Sequence, residues 1–197
     1  MKIAFAINLQ SPPGLIINMS EKIIRPIILL SGPVAAGKTA IARELIKSAV
    51  HPTVYIEGDK FWFFIVKSDK AITRTGNFKT IMMSMVAASV PYALSGYEVI
   101  LDFSIPPWFL DTVRKIAEPR KVPLEYIIIR PGENVCARRA ASRKEGIISD
   151  YSQYHDFYLD FMEAGKYSIC DDFSDPKSIA DTINKRRSEG IFRLNGN

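Results

Sequence analysis

Five short apolar runs punctuate the chain, at Pro26 to Ser31, Thr53 to Glu57, Tyr97 to Phe103, Leu124 to Arg130 and Tyr167 to Cys170. Most are apolar throughout rather than alternating, which is the pattern of strands buried on both faces. Segments of helical periodicity lie between them. Lys38 to Val50 places Ile41, Leu45 and Ala49 on one face, and Phe78 to Leu94 runs to Gly96, a residue suited to a C-terminal cap. Pro107 to Glu118, Glu133 to Lys144, Asp150 to Ala164 and Pro176 to Ser188 complete the helical set. Strands alternating with helices predict a three-layer α/β fold around a mainly parallel, five-stranded central sheet. No segment repeats, so tandem domains and solenoids are not expected.

Composition narrows this picture. With 197 residues, 47% of them hydrophobic, the chain can bury one good core, and a single domain over residues 26–190 is expected. Residues 191–197 then read as a tail and residues 1–25 as an N-terminal arm, broken by Ser11-Pro12-Pro13-Gly14. Met19 stands shortly before the first strong strand, so the residues ahead of it are either an accessory arm or the product of a start codon placed too early. The longest apolar run, Ile81 to Leu94, is interrupted by Ser84, Ser89 and Pro91 and falls short of the roughly 20 residues of a membrane span. Ile3 to Ile7 is shorter than the about 7 apolar residues of a signal sequence, so a cytoplasmic location is expected. Cys136 and Cys170 have no metal-ligand spacing, which argues against a disulfide framework or a zinc site. Twenty-six Lys and Arg against 21 Asp and Glu give +5, an excess that suits anionic ligands without the basicity of a dedicated nucleic-acid binder.

The chemistry is concentrated where the first strand ends. Gly32-Pro-Val-Ala-Ala-Gly37-Lys38-Thr39 fits G-x-x-x-x-G-K-[ST] and sits between a buried strand and an amphipathic helix, as the mechanism of that motif requires. The glycines let the backbone wrap so that N–H groups from Ala35 through Ala40 face phosphate oxygens, and the helix N-terminus adds its positive dipole end. Lys38 would meet the β and γ phosphates and Thr39 would offer its hydroxyl to Mg²⁺. Three further places bear on the same site. Asp59 lies just past the second strand, Asp102 ends the third, and Arg138, Arg139, Arg143 and Lys144 follow the fourth.

On these residues the chain resembles the P-loop NTPases. Residues 26 to about 190 are similar to the small P-loop kinases that include chloramphenicol phosphotransferase, zeta toxins, shikimate and gluconate kinases, and polynucleotide kinase domains. The resemblance implies a nucleotide at the C-terminal ends of the strands. It makes Asp59 the base that accepts the acceptor's hydroxyl proton, with capping of the segment Lys60 to Val66 as the plain structural alternative. It gives Asp102 a Mg²⁺ role through water, or a substrate contact. Arg139 and Arg143, four residues apart and so on one helix face, would belong to a lid at about 132–150 that closes on the triphosphate. Arg114 falls where zeta-toxin-like proteins carry an arginine near substrate phosphate; a surface position is the alternative. Phe61, Trp62, Phe63 and Phe64 are too many rings for one buried stripe, so part of the run, Trp62 included, would face an acceptor, and the same question attaches to Tyr151, Tyr154, Phe157 and Tyr158. His155 reads as structural, and Met82, Met83 and Met85 as core fillers.

Three functions are compatible with this inventory. The first is an ATP- and Mg²⁺-dependent kinase acting on a hydroxyl of a small molecule. The second keeps the chemistry but takes a nucleotide, nucleotide sugar or nucleic-acid 5′ hydroxyl, and would need more basic residues around Asp59 than Lys60 and Lys67. The third is a nucleotide-binding switch without an acceptor. A GTPase would carry N-K-x-D, whereas Asn184-Lys185 is followed by Arg186-Arg187.

Overall fold

The computed structural model describes residues 23–67, 69, 72–163 and 165–194. The arm expected over residues 1–25 lies outside these, apart from its last three residues. The five strands are β1 (Ile27–Ser31), β2 (Thr53–Glu57), β3 (Glu98–Asp102), β4 (Leu124–Ile129) and β5 (Ser168–Ile169). They form one parallel sheet in the order β2-β3-β1-β4-β5. Successive residues of β1 point to opposite faces. Ile27 and Leu29 join a core against α2 (Arg74–Leu94) and α3 (Leu110–Ala117), with Met82, Met85 and Val113. Ile28 and Leu30 join a second core with Ile41 and Leu45 of α1 (Lys38–Lys47) and Ile179 and Ile183 of α6 (Pro176–Ser188). The three layers are those the alternation of patterns predicts.

Several boundaries differ from the periodicity. Met83 is exposed, unlike its neighbours Met82 and Met85. Helix α2 begins four residues earlier than its apolar pattern, because the Thr73 hydroxyl accepts from the Gly76 N–H and caps it. Helix α4 (Glu133–Ala141) stops before Lys144, with Ser142 turning back to the Arg139 carbonyl. Arg143 therefore stands beyond the helix and does not share a helical face with Arg139. The helix expected over Asp150 to Ala164 is a 3₁₀ turn, Ser152–Tyr154, followed by the short α5 (His155–Leu159). Its aromatic hydroxyls bind distant backbone, Tyr151 at the Val34 carbonyl and Tyr158 at the Pro131 carbonyl. Those tertiary bonds outweigh helical propensity.

The described part of the stretch read as a tail, residues 191–194, packs along β4. Phe192 is fully buried, its carbonyl accepts from the Tyr126 N–H, and the Leu194 N–H donates to the Leu124 carbonyl. It covers the part of the β4 edge that the two-residue β5 leaves open. Behind it, Arg187 of α6 binds Glu98 and Glu125, at 2.5 Å each, and ties β3 and β4 to the helix. Among the described residues no helix is long and apolar enough to cross a membrane.

Candidate active site

The loop from β1 to α1 is built by close approach. A Cβ on Gly32, at φ +136°, would lie 2.1 Å from the Ile129 carbonyl oxygen, so only glycine lets β1 leave the sheet against β4. Gly37 (φ +99°) and Ala35 (φ 60°) are also left-handed, which curls the loop over the N-terminus of α1. Strain of this kind in a non-glycine residue concentrates at functional sites. The first N–H groups of α1 have no carbonyl partner within the helix and open toward the loop's interior.

Lys38 folds back into this space. Its ammonium donates to the carbonyls of Gly32 at 3.1 Å and Pro33 at 2.9 Å, and to Ser104 Oγ at 2.9 Å. Burial holds its pKa below the ordinary lysine value, partly offset by Asp102 and Asp59. Thr39 donates its hydroxyl to Asp102 Oδ2 at 2.7 Å, and Tyr55, on the neighbouring strand, donates to the same oxygen at 2.9 Å. Asp102 is only 5% exposed, so this carboxylate is fixed by two hydroxyls at the strand end. Burial and the nearby Asp102 raise the Tyr55 pKa, which keeps its hydroxyl a donor.

Two adjoining cavities open here. One, of about 420 Å³, is lined by the loop together with Lys38, Thr39, Asp102, Arg139 and Arg143. Arg139 reaches it from α4 and donates to the Ala36 carbonyl at 3.0 Å, and α4 itself is held by Asp172, which accepts from the Gly132 N–H at 2.6 Å. The second, of about 550 Å³, is walled by Trp62, Phe78, Phe103, Trp108, Tyr154 and Phe157. Asp59, Phe103, Ser104 and Tyr154 line both. Asp59 sits inside the 3₁₀ turn Gly58–Phe64 and makes no capping bond, so capping does not account for it. Its side chain opens on the cavities, while the protein packed around it raises its pKa. Desolvation is the main cause, opposed by Lys38 and reinforced by Asp102.

The structure therefore brings together Lys38, Thr39, Asp59, Asp102, Arg139 and Arg143, with Trp62 beside them. It does not bring Arg114 there: that guanidinium pairs with Asp111 at 3.2 Å and lines neither cavity. The aromatic run after Asp59 divides, Phe61 packing on the core and Phe63 and Phe64 standing exposed. His155 holds Glu133 at 2.9 Å at the start of α4. Ser104, Tyr55 and Arg74, which also lines the second cavity, were not legible as site residues. Only Ser104 had a sequence signal, its place just after an apolar run ending in an acid.

A parallel sheet in this order, with a Gly-Lys-Thr loop at the end of its central strand, defines the class: a P-loop kinase fold. The family model of the chloramphenicol phosphotransferase-like proteins matches residues 25–157, and the chain belongs to that family. It is thus a P-loop phosphotransferase acting on a small molecule. Solved structures share the fold. A sugar kinase from Janibacter sp. HTCC2649 gives a TM-score of 0.61 at 15% identity over 83% of this chain and 94% of its own. The tunicamycin resistance protein of Deinococcus radiodurans gives 0.60 at 14% over 87% and 99%. The APS kinase of Mycobacterium tuberculosis, in complex with AMPPNP and APS, gives 0.59 at 14% over 83% and 97%. A search of curated protein sequences returns no match.

Proposed function

We propose that the protein transfers the γ-phosphoryl group of ATP to a hydroxyl of a small molecule, with Mg²⁺ on the nucleotide and Asp59 as the base. The observation that carries this is the position of Asp59, a carboxylate on the boundary between a phosphate-binding loop and an aromatic cavity. In the transfer, the acceptor oxygen forms a bond to the γ phosphorus, the bond to the β–γ bridging oxygen breaks, and the hydroxyl proton passes to Asp59. A base with a raised pKa accepts that proton more readily at neutral pH.

The other residues take their roles from where they stand. The Lys38 ammonium, now on two loop carbonyls and Ser104, would turn to the β and γ oxygens. N–H groups from Ala35 to Ala40 would bind phosphate, and Arg139 and Arg143 would balance charge gathered on the transferring group. The paired oxygens of Thr39 and Asp102 are hard donors of the kind Mg²⁺ takes, and among the described residues no cluster of three or more His, Cys, Asp or Glu offers a closed cage. Thr39 Oγ1, with Asp102 through water, would hold Mg²⁺ there. When bound it neutralises charge on the β and γ phosphates. Arg114 has no part in this scheme.

The acceptor cavity supports a small, partly apolar molecule over a nucleic-acid end. Its charged lining residues are Asp59 and Arg74, and a strand of phosphates would need a basic groove. The fold neighbours named as sugar kinase and gluconokinase agree with a small hydroxylated acceptor. Mg-ATP consumption across hydroxylated antibiotics, sugars, nucleosides and oligonucleotides, with Lys38→Ala as control, tests the assignment. Turnover that depends on a small acceptor and disappears in the variant is expected; slow ATP turnover that no acceptor changes would favour a nucleotide switch instead.

A further inference from the structure

We infer that the acceptor is an aryl compound that carries an anionic group, a carboxylate, as well as the reacting hydroxyl, and that the anion is received by Arg74. The inference rests on the phosphotransferase reading and goes on to name the substrate class. Six aromatic side chains wall a cavity of about 550 Å³, large enough to enclose most of a small aromatic molecule. Phe78 packs on Phe103 at 5.5 Å and on Phe157 at 5.9 Å between ring centres, so the wall is continuous across elements far apart in sequence. Flat apolar walls of this kind take a ring by stacking or edge contact.

Charge gives the cavity a direction. Asp59 lines both cavities and marks the end where phosphoryl transfer would occur, whereas Arg74 lines only the aromatic one. Arg74 also stands in the first turn of α2, where a cation opposes the helix dipole, and that turn contains no acidic residue. Among the described residues it has no ion pair. The rim at Trp108 is balanced by contrast, with Lys79 5.7 Å from the ring centre and Asp160 accepting from the indole N–H at 3.2 Å. Arg74 is thus an exposed, unpaired cation in the cavity lining, set beside rings. A neutral acceptor would leave it so; a carboxylate would meet its planar fork with two parallel hydrogen bonds. With the carboxylate on Arg74, which lines the aromatic cavity alone, the hydroxyl is left to the part shared with the phosphate loop, where Asp59 stands.

The two tryptophans of the chain, Trp62 and Trp108, both line this cavity, so intrinsic fluorescence reports its occupancy. The test titrates the full chain, without ATP, with 4-(hydroxymethyl)benzoate and with its neutral match 4-(hydroxymethyl)benzamide, on wild type, Arg74→Gln and Arg74→Lys. Thermal melting and ATP binding verify that each variant is folded. Expected is a Kd for the carboxylate at least about tenfold below that of the amide in wild type, a ratio near one in Arg74→Gln, and most of the preference kept in Arg74→Lys. Equal binding of the two probes, binding of neither, or a preference that survives Arg74→Gln would overturn the inference. Because occupancy is read without nucleotide, failure of phosphoryl transfer would count against the kinase reading alone.

Discussion

Gly58→Ala links the packing of the fold to the chemistry in one methyl group. A Cβ on Gly58 would lie 2.6 Å from Phe103 Cδ2 and 2.7 Å from both Cβ and Cγ of the same residue. The ring end could swing away, but Phe103 Cβ is fixed to β3, so the turn carrying Asp59 must shift. Overpacking of this size costs about 1–3 kcal/mol, and replacing glycine where its backbone is ordinary returns about 0.4–1 kcal/mol through the unfolded chain. The net loss, at most about 2.6 kcal/mol, corresponds to a fall in Tm of up to about 10 °C for a chain of this length. Turnover should suffer far more, because a displacement of about 1 Å at Asp59 is worth about 100-fold in rate. Melting curves, ATP binding and acceptor-dependent turnover separate the effects: ATP affinity stays within about threefold, since Gly58 does not line the phosphate cavity, while kcat drops. In a Phe103→Gly background, which removes that Cβ, the penalty of Gly58→Ala should shrink, which is the signature of two residues in contact. Wild-type Tm and turnover in Gly58→Ala would refute the argument, as would full additivity with Phe103→Gly.

Three further outcomes follow from the same geometry. Arg187→Leu strands the buried Glu98 and Glu125 carboxylates side by side, their side chains 10% and 11% exposed, and should cost about 3–5 kcal/mol and lower Tm by about 6–20 °C; Glu98→Gln with Glu125→Gln in that background should recover much of it, and a Tm change below about 3 °C would count against the clamp. Tyr55→Phe removes one of two hydroxyls on Asp102 Oδ2, so the Mg²⁺ concentration for half-maximal rate should rise several-fold with little change in metal-free ATP binding; an unchanged Mg²⁺ requirement would leave Tyr55 a packing residue. Asp59 has a raised pKa in the fold, so its carboxylate form is disfavoured there: Asp59→Asn should be more stable than wild type above that pKa and lose the advantage as pH falls into the ordinary carboxylate range, while wild-type kcat/KM rises with pH through the same pKa. Melting and kinetics across pH check both limbs.

The sequence announced the parts of this protein that are local. Gly32, Gly37, Lys38 and Thr39 are set by a loop whose geometry is carried within eight residues, and β1, β3 and β4 are apolar along their length because helices cover both faces. What depends on distant partners was harder to read. Nothing near Ala141 marks a helix end, so the four-residue spacing of Arg139 and Arg143 predicts a shared face that the fold does not keep. The segment from Asp150 has a helical pattern in sequence, while its tyrosine hydroxyls anchor on the Val34 and Pro131 carbonyls. The join of Thr39, Asp102 and Tyr55 depends on β2 lying beside β3, a fact of topology that spacing does not contain. Asp59 was placed correctly after β2, but its partners in the aromatic cavity come from five separate stretches of chain. Arg74, a lone arginine in a polar connection, carried no sequence signal at all.

The most direct test of the account is single-turnover transfer from ATP, radiolabelled in its γ-phosphate, to the acceptor found by the panel, compared between wild type and Asp59→Asn. If Asp59 is the base between the two cavities, the variant binds ATP and acceptor with near wild-type affinity while transfer slows by about 10²- to 10⁴-fold. Transfer by Asp59→Asn at the wild-type rate would contradict that claim.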